Sequence, residues 1–372
     1  MSPGLPWRFP VDPLLFVNAV LSTVTDPAPR GDEVLLSVED LCVQFPSAQG
    51  ALAAVDGVSF SITRGRTLAL VGESGCGKSI TGYSILRLVA DPGRVVRGRI
   101  VLHSQRVGTI DITGLGERDR RLYQVRGGLV SMIFQEPSAA LSPVHTVGNQ
   151  ISEAIRIHRP VAAAEARRMG VELLRKVGLS APERQFDRYP HELSGGMRQR
   201  AVIAIALACN PELLIADEAT TALDVTTQAQ ILRLIASLQR DIGCTVLLIT
   251  HDLGVVAQSA DDVAVMYLGR IVERGRVGDL FKYPRHPYTR GMLRSLPGLQ
   301  AGGRLAAIPG AVPPLNAIPR GCSFHPRCAH AQEGRCDAGA APPLRPCAPA
   351  HEVACLRADE LDPFDAAGGG PQ

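Results

Sequence analysis

The chain has 372 residues, of which 45% are hydrophobic and 20% are charged, a composition typical of a soluble globular protein with one large or two modest domains. A formal net charge of +3 gives no reason to expect wholesale nucleic-acid binding. The longest apolar runs, such as residues 201–208, are far shorter than the roughly 20 residues that a membrane-spanning helix needs.

Residues 1–33 precede the first regular pattern. They have a short apolar centre but no basic n-region and no clear cleavage site, so we interpret them as an N-terminal extension and not as an export signal. The extension either contacts a partner or a membrane surface, or is a weakly ordered tail. Without export, we expect the chain to stay in a reducing cytosol, where structural disulfides are rare.

From residue 34 onward, strand-like and helix-like patterns alternate. Strand patterns occur at residues 35–45, 66–72, 98–103, 212–217 and 245–252. Helical patterns occupy residues 79–89, most of 150–210, and 227–243. This alternation predicts an α/β fold, with a mainly parallel sheet covered by helices.

Beyond about residue 296 the composition shifts to Pro, Gly, Ala and Cys. We therefore expect residues 296–372 to form a separate appendage with little core of its own. Its last segment, residues 365–372, has the composition of a disordered end.

The segment GESGCGKS at residues 72–79 matches the phosphate-binding pattern G-x-x-x-x-G-K-[ST], and it lies between a predicted strand and a predicted helix as that pattern requires. Its glycines let backbone N–H groups surround phosphate oxygens. Lys78 is expected to bridge the β- and γ-phosphates and Ser79 to bind Mg²⁺. Cys76 is expected to contribute only its backbone. The predicted ATP-binding residues here are Ser74, Gly75, Cys76, Gly77, Lys78, Ser79 and Ile80.

Asp217 and Glu218 follow the apolar strand pattern at residues 212–217. Alone, such a pair is most often a helix N-cap. Together with the upstream phosphate loop it predicts that Asp217 holds the Mg²⁺ shell and that Glu218 polarises the attacking water.

The segment LSGGMRQR at residues 193–200, ahead of that strand, resembles the signature sequence of the ATP-binding subunits of ABC transporters. Other parts of the family pattern follow in order. Phe45 matches the aromatic residue that stacks on adenine, Gln135 the Q-loop glutamine, Asp224 the D-loop and His251 the switch histidine. Taken singly these residues are weak signals, but their order and spacing around two strong motifs are specific.

This resemblance covers about residues 34–295. It implies a P-loop NTPase (RecA-like) core with an antiparallel β subdomain and a helical subdomain at about residues 136–210. It implies catalysis by Glu218, His251 and Gln135, and Mg²⁺ binding by Ser79, Gln135 and Asp217. Two such domains would close head to tail on two ATP molecules. The residues that would then act on the partner's ATP are Ser194, Gly195, Gly196 and Asp224.

Three stretches narrow the resemblance: residues 71–79, 189–207 and 286–298 look like the ATPases of bacterial oligopeptide and dipeptide importers. That likeness implies ATP-driven peptide import at the cytoplasmic face of the inner membrane, where the chain would lie peripherally. A coupling helix of a membrane subunit would dock near residues 137–146. The alternatives are the same machinery importing nickel or another small solute, and a non-transport ABC ATPase.

The implied partners are two transmembrane permease subunits, a second ABC ATPase subunit and an extracytoplasmic peptide-binding protein, with no nucleic acid. Both halves of a composite site are present in the sequence, so a homodimer is possible. We expect a heterodimer, because peptide importers more often pair two related ATPases.

The C-terminal region resembles the importer extension that carries a four-cysteine iron–sulfur motif after GCxFHPRC. No C-x₂-C pair is present, which disfavours a ribbon or knuckle zinc site. The family pattern assigns Cys322, Cys328, Cys336 and Cys355 to a 4Fe-4S cluster and leaves Cys347 as a spare.

Other interpretations of these cysteines stay open. Zn²⁺ could bind through cysteines together with His325, His330 or His351. Reduced cysteines without metal, or disulfides, are further alternatives. If a cluster is present, we expect a structural role, because metal binding would fold a tail that is too poor in apolar residues to fold alone.

Overall fold

The computed structural model describes residues 33–48, 50–136, 140–219, 225–296 and 307–364. Asp224, the predicted disordered end and nearly all of the predicted N-terminal extension lie outside the described residues. So do residues 137–139 of the predicted docking region. Strands and helices are numbered separately in chain order.

Four antiparallel strands form the first sheet, in the order β2-β1-β4-β5. Their bounds are β1 Val34–Ser47, β2 Gly50–Thr63, β4 Arg94–Ser104 and β5 Gly108–Asp111. The buried side chains of this sheet, including Leu36, Ile62 and Ile100, share one apolar core with Leu70 and Ile85 of the phosphate-loop region. The sheet therefore packs directly against the segment that carries the phosphate-binding motif.

Eight strands form the second sheet, in the order β11-β12-β10-β9-β3-β8-β7-β6. Their bounds are β3 Thr67–Val71, β6 Val130–Ile133, β7 Leu213–Asp217, β8 Thr245–Thr250, β9 Asp262–Tyr267, β10 Arg270–Arg276, β11 Arg345–Ala348 and β12 His351–Val353. The strands from β9 to β6 pair in parallel. Every residue of β3, β6, β7 and β8 is buried, as expected for parallel strands covered on both faces. The predicted mainly parallel sheet is present.

The helices of the described residues are α1 Lys78–Ile85, α2 Arg120–Val125, α3 Val147–His158, α4 Ala163–Lys176, α5 Pro182–Phe186, α6 Gly195–Leu207, α7 Val225–Ile242, α8 Leu253–Ser259, α9 Val277–Lys282 and α10 Pro287–Arg294. Pro190–Glu192 and His325–Arg327 each form a short 3-10 helix. Helices α3 to α6 follow one another between β6 and β7. Phe186 of α5 packs against α3 and α4, because its ring lies where a Cβ on Gly148 or Gly170 would have to be. None of the helices among the described residues is both long and apolar enough to cross a membrane.

From the sequence we expect residues beyond about 296 to be a separate appendage, and here the structure differs. β12 pairs with β10 of the main sheet, with Val353 opposite Glu273, and β11 pairs with β12. Phe324 is 2% exposed and packs edge-on against Tyr267 of β9. The extension is thus continuous with the main sheet and with its core.

Candidate active site

The loop at residues 72–79 joins β3 to α1, and two of its glycines are required by their surroundings. A Cβ on Gly72 would lie 2.3 Å from the Met266 carbonyl oxygen, and one on Gly77 would lie 2.4 Å from the Ala54 carbonyl oxygen. Gly77 also has φ +101°, a conformation that side-chain-bearing residues rarely adopt. The close approach fixes the loop between the two sheets, since Met266 lies on β9 and Ala54 on β2.

Lys78 opens α1 and is 4% exposed. Its Nζ donates to the carbonyl oxygens of Gly72 at 2.9 Å and Glu73 at 3.0 Å, so the ammonium group lies within the curve of the loop. Cys76 is also buried, and burial raises the pKa of its thiol. A protonated, buried thiol is unreactive, and a contribution of Cys76 through its backbone stays a prediction.

Ser79 and Asp217 come together as the sequence predicts. The Ser79 hydroxyl donates to Oδ1 of Asp217 at 2.9 Å, while Oδ2 of this fully buried carboxyl group has no hydrogen-bond partner. Burial raises the pKa of Asp217, and the bond from Ser79 partly offsets this effect. A hydroxyl beside a buried carboxylate oxygen that lacks a partner is a donor set that fits Mg²⁺.

Gln135, Glu218 and His251 meet at one point, beyond the carboxyl ends of β6, β7 and β8. The Gln135 amide donates to Oε2 of Glu218 at 3.0 Å, and Nδ1 of His251 lies 3.3 Å from Oε1. Glu218 has φ +45°, an unfavourable backbone conformation, and its N–H donates to the Ile249 carbonyl oxygen at 2.9 Å. Strain of this kind is typical of functional sites.

The signature residues lie at the start of α6. Ser194 caps the helix and accepts a hydrogen bond from the Met197 N–H at 3.3 Å. A Cβ on Gly195 would meet nothing within 4 Å, and one on Gly196 would lie 3.3 Å from a methyl group of Thr227. In the part of the chain that the structure describes, no hydrogen bond joins Ser194 to the phosphate loop. The structure therefore does not bring these residues to the loop of the same chain.

Phe45 lies half-buried on β1, and its ring packs so closely on Gly93 that a Cβ there would lie 2.5 Å away. No contact among the described residues tests its predicted stacking on adenine. Ser74 is exposed and Ile80 is half-buried, and their predicted contacts with ATP are also untested.

Two residues escaped the sequence interpretation. Gln199 of α6 is fully buried, and its amide donates to the Ala219 carbonyl oxygen at 2.7 Å, next to Glu218. The signal in the sequence that could have indicated the burial of Gln199 is the apolar run of α6 that follows it. Glu73, within the phosphate loop, binds residues of the C-terminal region, and the local motif contains no sign of those contacts.

A small cavity in the C-terminal extension, here called the cysteine cavity, is lined by Cys322, Cys328, Cys336 and Cys355, together with His286, Pro287, Phe324, His325, His330, Leu356 and Arg357. Cys347 is not among them, and its thiol donates to the His351 carbonyl oxygen at 3.4 Å. All nine cysteines are free thiols. Burial raises the pKa of Cys355 to about 11.

His286 also lines the cysteine cavity. Its Nδ1 accepts a hydrogen bond from the Tyr288 N–H at 3.1 Å, so the proton of the neutral ring is on Nε2. Burial lowers the pKa of this ring to about 4 and keeps it neutral. Nε2 is buried without a hydrogen-bond partner. Among the described residues, no group of three or more His, Cys, Asp or Glu side chains is arranged to hold a metal ion.

Both the region that contains the phosphate loop and the C-terminal region resemble known proteins. A profile of the ABC transporter family matches residues 55–221, and one described as the C-terminal region of oligopeptide/dipeptide transporters matches residues 272–336. The "Probable peptide ABC transporter ATP-binding protein y4tR" of Sinorhizobium fredii is 50% identical over 336 residues, which are 90% of this chain and 97% of that protein. The chain belongs to the ATP-binding subunits of the oligopeptide/dipeptide ABC transporter family.

Further relatives agree with this assignment. The "Oligopeptide transport ATP-binding protein AppD" of Bacillus subtilis is 51% identical over 301 residues, which are 80% of this chain and 90% of that protein. A solved structure, the dimeric post-hydrolysis state of the ATP-binding cassette MJ0796 with ADP and Pi, covers 65% of this chain and 99% of its own, with 26% identity and a TM-score of 0.57. The predicted P-loop ABC ATPase fold is confirmed, and as a member of this family the chain is an ATPase for which ATP and Mg²⁺ are the expected ligands.

Proposed function

We propose that this chain is the subunit that hydrolyses ATP to power the import of di- and oligopeptides across the bacterial cytoplasmic membrane. The observation that carries the catalytic part is the convergence of Gln135 and His251 on Glu218, next in sequence to Asp217, which binds Ser79. The peptide cargo is supported by the relatives, which are described as peptide and oligopeptide transport proteins. These names favour peptides over the alternative of nickel.

In the proposed reaction, water attacks the γ-phosphorus of ATP, the bond to the β-phosphate oxygen breaks, and ADP and phosphate leave. Glu218 orients the water and accepts its proton, and His251 and Gln135 hold the two oxygens of that carboxyl group in position. Lys78 and the loop amides bind the phosphates. Mg²⁺, held by Ser79, Asp217 and Gln135, would neutralise charge on the phosphate oxygens.

The signature residues act on ATP held by a second subunit. Gly195 has open space around its Cα, and it stands at the N-terminus of α6, where backbone N–H groups attract an anion. We infer that Ser194, Gly195 and Gly196 complete the partner's site in a head-to-tail dimer, together with Asp224. A related but different ATPase subunit is the proposed partner. Two permease subunits and a peptide-binding protein complete the assembly at the cytoplasmic face.

Replacing Glu218 by glutamine tests the catalytic assignment. The amide keeps the size of the side chain but cannot accept the proton of water, so turnover should fall by at least about 100-fold while ATP binding persists. Size-exclusion chromatography of the assembled transporter, with its peptide-binding protein, should then show a closed complex that retains ATP. ADP in place of ATP is the control, since it should not support closure. Wild-type turnover in Glu218→Gln would show that Glu218 is not the base.

We further propose that Cys322, Cys328, Cys336 and Cys355 hold a 4Fe-4S cluster in the cysteine cavity. The proposal is supported by the common lining of that cavity and by His286, whose buried Nε2–H lacks an acceptor that cluster sulfur would supply. Each thiolate of such a cluster binds a different iron, so its ligands need not converge on one ion. When bound, the cluster would fix the fold of the extension.

Metal analysis of matched cysteine variants tests this assignment. Anaerobically purified wild type should be brown and contain about four iron and four sulfide per chain. Cys336→Ala should lose the visible absorption, whereas Cys347→Ala, whose thiol lies outside the cavity, should keep it. Colourless protein with stoichiometric zinc would refute the cluster and favour the zinc alternative.

A further inference from the structure

Glu73, the second residue of the phosphate loop, is bound through all three of its polar groups. Its carboxylate accepts two hydrogen bonds from Arg327, at 2.7 and 3.0 Å. Its N–H donates to the Tyr288 hydroxyl at 2.8 Å, and its carbonyl oxygen accepts from Lys78 at 3.0 Å. Tyr288 and Arg327, which hold the loop at Glu73, are more than 200 positions away in the sequence.

Arg327 is itself rigidly held. Its side chain is 4% exposed, and its Nε donates to the Pro309 carbonyl oxygen at 3.0 Å. The guanidinium group lies 5.9 Å from the ring centroids of both Tyr267 and Phe324, a distance that permits cation–π attraction. Because Arg327 is buried, rigidly held and bound to Glu73 by two hydrogen bonds, the position of its segment fixes the position of Glu73. That segment is the turn between Cys322 and Cys328.

Besides anchoring the loop, the contact between Arg327 and Glu73 also affects the charge of the loop. A carboxylate beside the phosphate loop repels the triphosphate of ATP, because both are negative. Arg327 neutralises the carboxylate from the side of the extension. Without Arg327, the loop would lose an anchor and would also present an uncompensated negative charge to its ligand.

We propose that Arg327 is a positioning residue for ATP binding, which acts by fixing and neutralising Glu73 of the phosphate loop. Tyr288 supports the same residue through the Glu73 N–H. The C-terminal extension thereby becomes part of the nucleotide site without touching the nucleotide. This inference rests on the phosphate-loop assignment made above.

A double-mutant cycle in the full-length protein tests the proposal, with the dissociation constant of ATP measured by displacement of a fluorescent ATP analogue. Arg327→Gln should weaken ATP binding about ten-fold in the wild-type background. In the Glu73→Gln background the same substitution should have almost no further effect, because the charge to be neutralised is gone. In the assembled transporter, KM for ATP should rise while kcat changes little.

The matched control is Arg290→Gln. Arg290 is also buried and binds the extension through the Asp362 carbonyl oxygen at 2.9 Å, while its Nε donates to the Pro284 carbonyl oxygen at 2.9 Å. Among the described residues it has no hydrogen bond to the phosphate loop. This variant should bind ATP as wild type does. Circular dichroism and visible absorption of each variant report whether the extension has stayed folded. Tyr288→Phe, which removes one oxygen, should also weaken binding.

The results distinguish the proposal about Arg327 from the assignment of the phosphate loop as the ATP site. Equal weakening by Arg327→Gln in both backgrounds, or weakening by Arg290→Gln to the same degree, would show that Arg327 acts only through the fold of the extension and would overturn the proposal. Unchanged affinity in Arg327→Gln would overturn it as well, while leaving the phosphate loop intact as the ATP site. Failure of the wild type to bind ATP would overturn both.

Discussion

Replacing Glu212 by glutamine tests what joins the two sheets of this ATPase. Glu212 lies just before β7, and its side chain is 7% exposed. It accepts hydrogen bonds from Arg64 at 2.7 Å, from the Ser104 hydroxyl at 2.5 Å and from the Gln105 N–H at 3.1 Å. Arg64 directly follows β2 and also donates to the His103 carbonyl oxygen at 2.6 Å. The Glu212 carboxylate therefore connects the first sheet to the second.

These contacts set the expected loss in the free energy of unfolding for Glu212→Gln. Hydrogen bonds to a charged group contribute about 1.5–3 kcal/mol each, but glutamine keeps one acceptor oxygen and nearly the same volume. Arg64 is 18% exposed, so water compensates part of the loss. We expect the free energy of unfolding to fall by about 2 kcal/mol at neutral pH, which lowers the midpoint of thermal unfolding by about 3 °C.

The pH dependence makes the prediction specific. Burial alone would raise the pKa of Glu212, but its hydrogen bonds more than offset this and hold the pKa below its usual value. The stabilisation is therefore present above the unfolded pKa and is lost as pH falls through the lowered folded pKa. Thermal unfolding followed by circular dichroism from about pH 7 to about pH 3, a range that extends below the usual pKa of glutamate, should show wild type and Glu212→Gln converging in acid.

Glu33→Gln is the control, because Glu33 contacts the same arginine at 3.5 Å but its side chain is 56% exposed. It should change the midpoint by less than about 1 °C, as exposed ion pairs contribute little. A Glu212→Gln midpoint equal to that of wild type, or a difference that grows in acid, would refute the reasoning.

Two glycine substitutions distinguish the shape of the phosphate loop from the contact that the signature residues make with ATP of a second subunit. Gly77→Ala should abolish ATP binding in a nucleotide titration, because its φ of +101° and the Ala54 carbonyl oxygen 2.4 Å away leave no room for a Cβ; ordinary ATP affinity would contradict the observed loop. Gly195→Ala, whose Cβ meets nothing within 4 Å, should keep the stability and ATP affinity of wild type yet reduce ATP turnover of the assembled transporter by about 100-fold. Undiminished turnover would argue against a γ-phosphate contact at that position.

Much of the nucleotide site could be predicted from the sequence, because its chemistry lies in short stretches. Lys78 and Ser79 follow glycines whose spacing shapes the loop, and Asp217 ends a strand whose every residue is buried. Parallel strands then bring their carboxyl ends to one edge, so the contact between Ser79 and Asp217 follows from local patterns and sheet geometry. Glu218 and His251 come together for the same reason, because they follow the carboxyl ends of the parallel strands β7 and β8.

The attachment of the extension could not be predicted in this way. β11 and β12 have four and three residues, too few for a reliable strand pattern. Their pairing with β10 depends on contacts across about 80 residues of chain. The pairing of Arg327 with Glu73 spans 254 positions, and neither residue differs locally from an ordinary surface charge. Separating Cys347 from the other four cysteines of the extension on structural grounds likewise required the cavity they share.

The contacts of Glu73 have a thermodynamic consequence for the extension. If Arg327 raises the affinity of the phosphate loop for ATP, then ATP must stabilise the attached form of Arg327 by the same free energy, since coupling between two sites is reciprocal. Arg327 precedes Cys328 directly, and the Cys322 N–H donates to the Cys336 carbonyl oxygen at 2.8 Å within the same fold. Bound ATP should therefore slow the loss of the proposed cluster's visible absorption in the presence of an iron chelator, and Arg327→Gln should remove most of that protection. Protection of equal size in both proteins would mean that nucleotide binding and the cysteine cavity are independent.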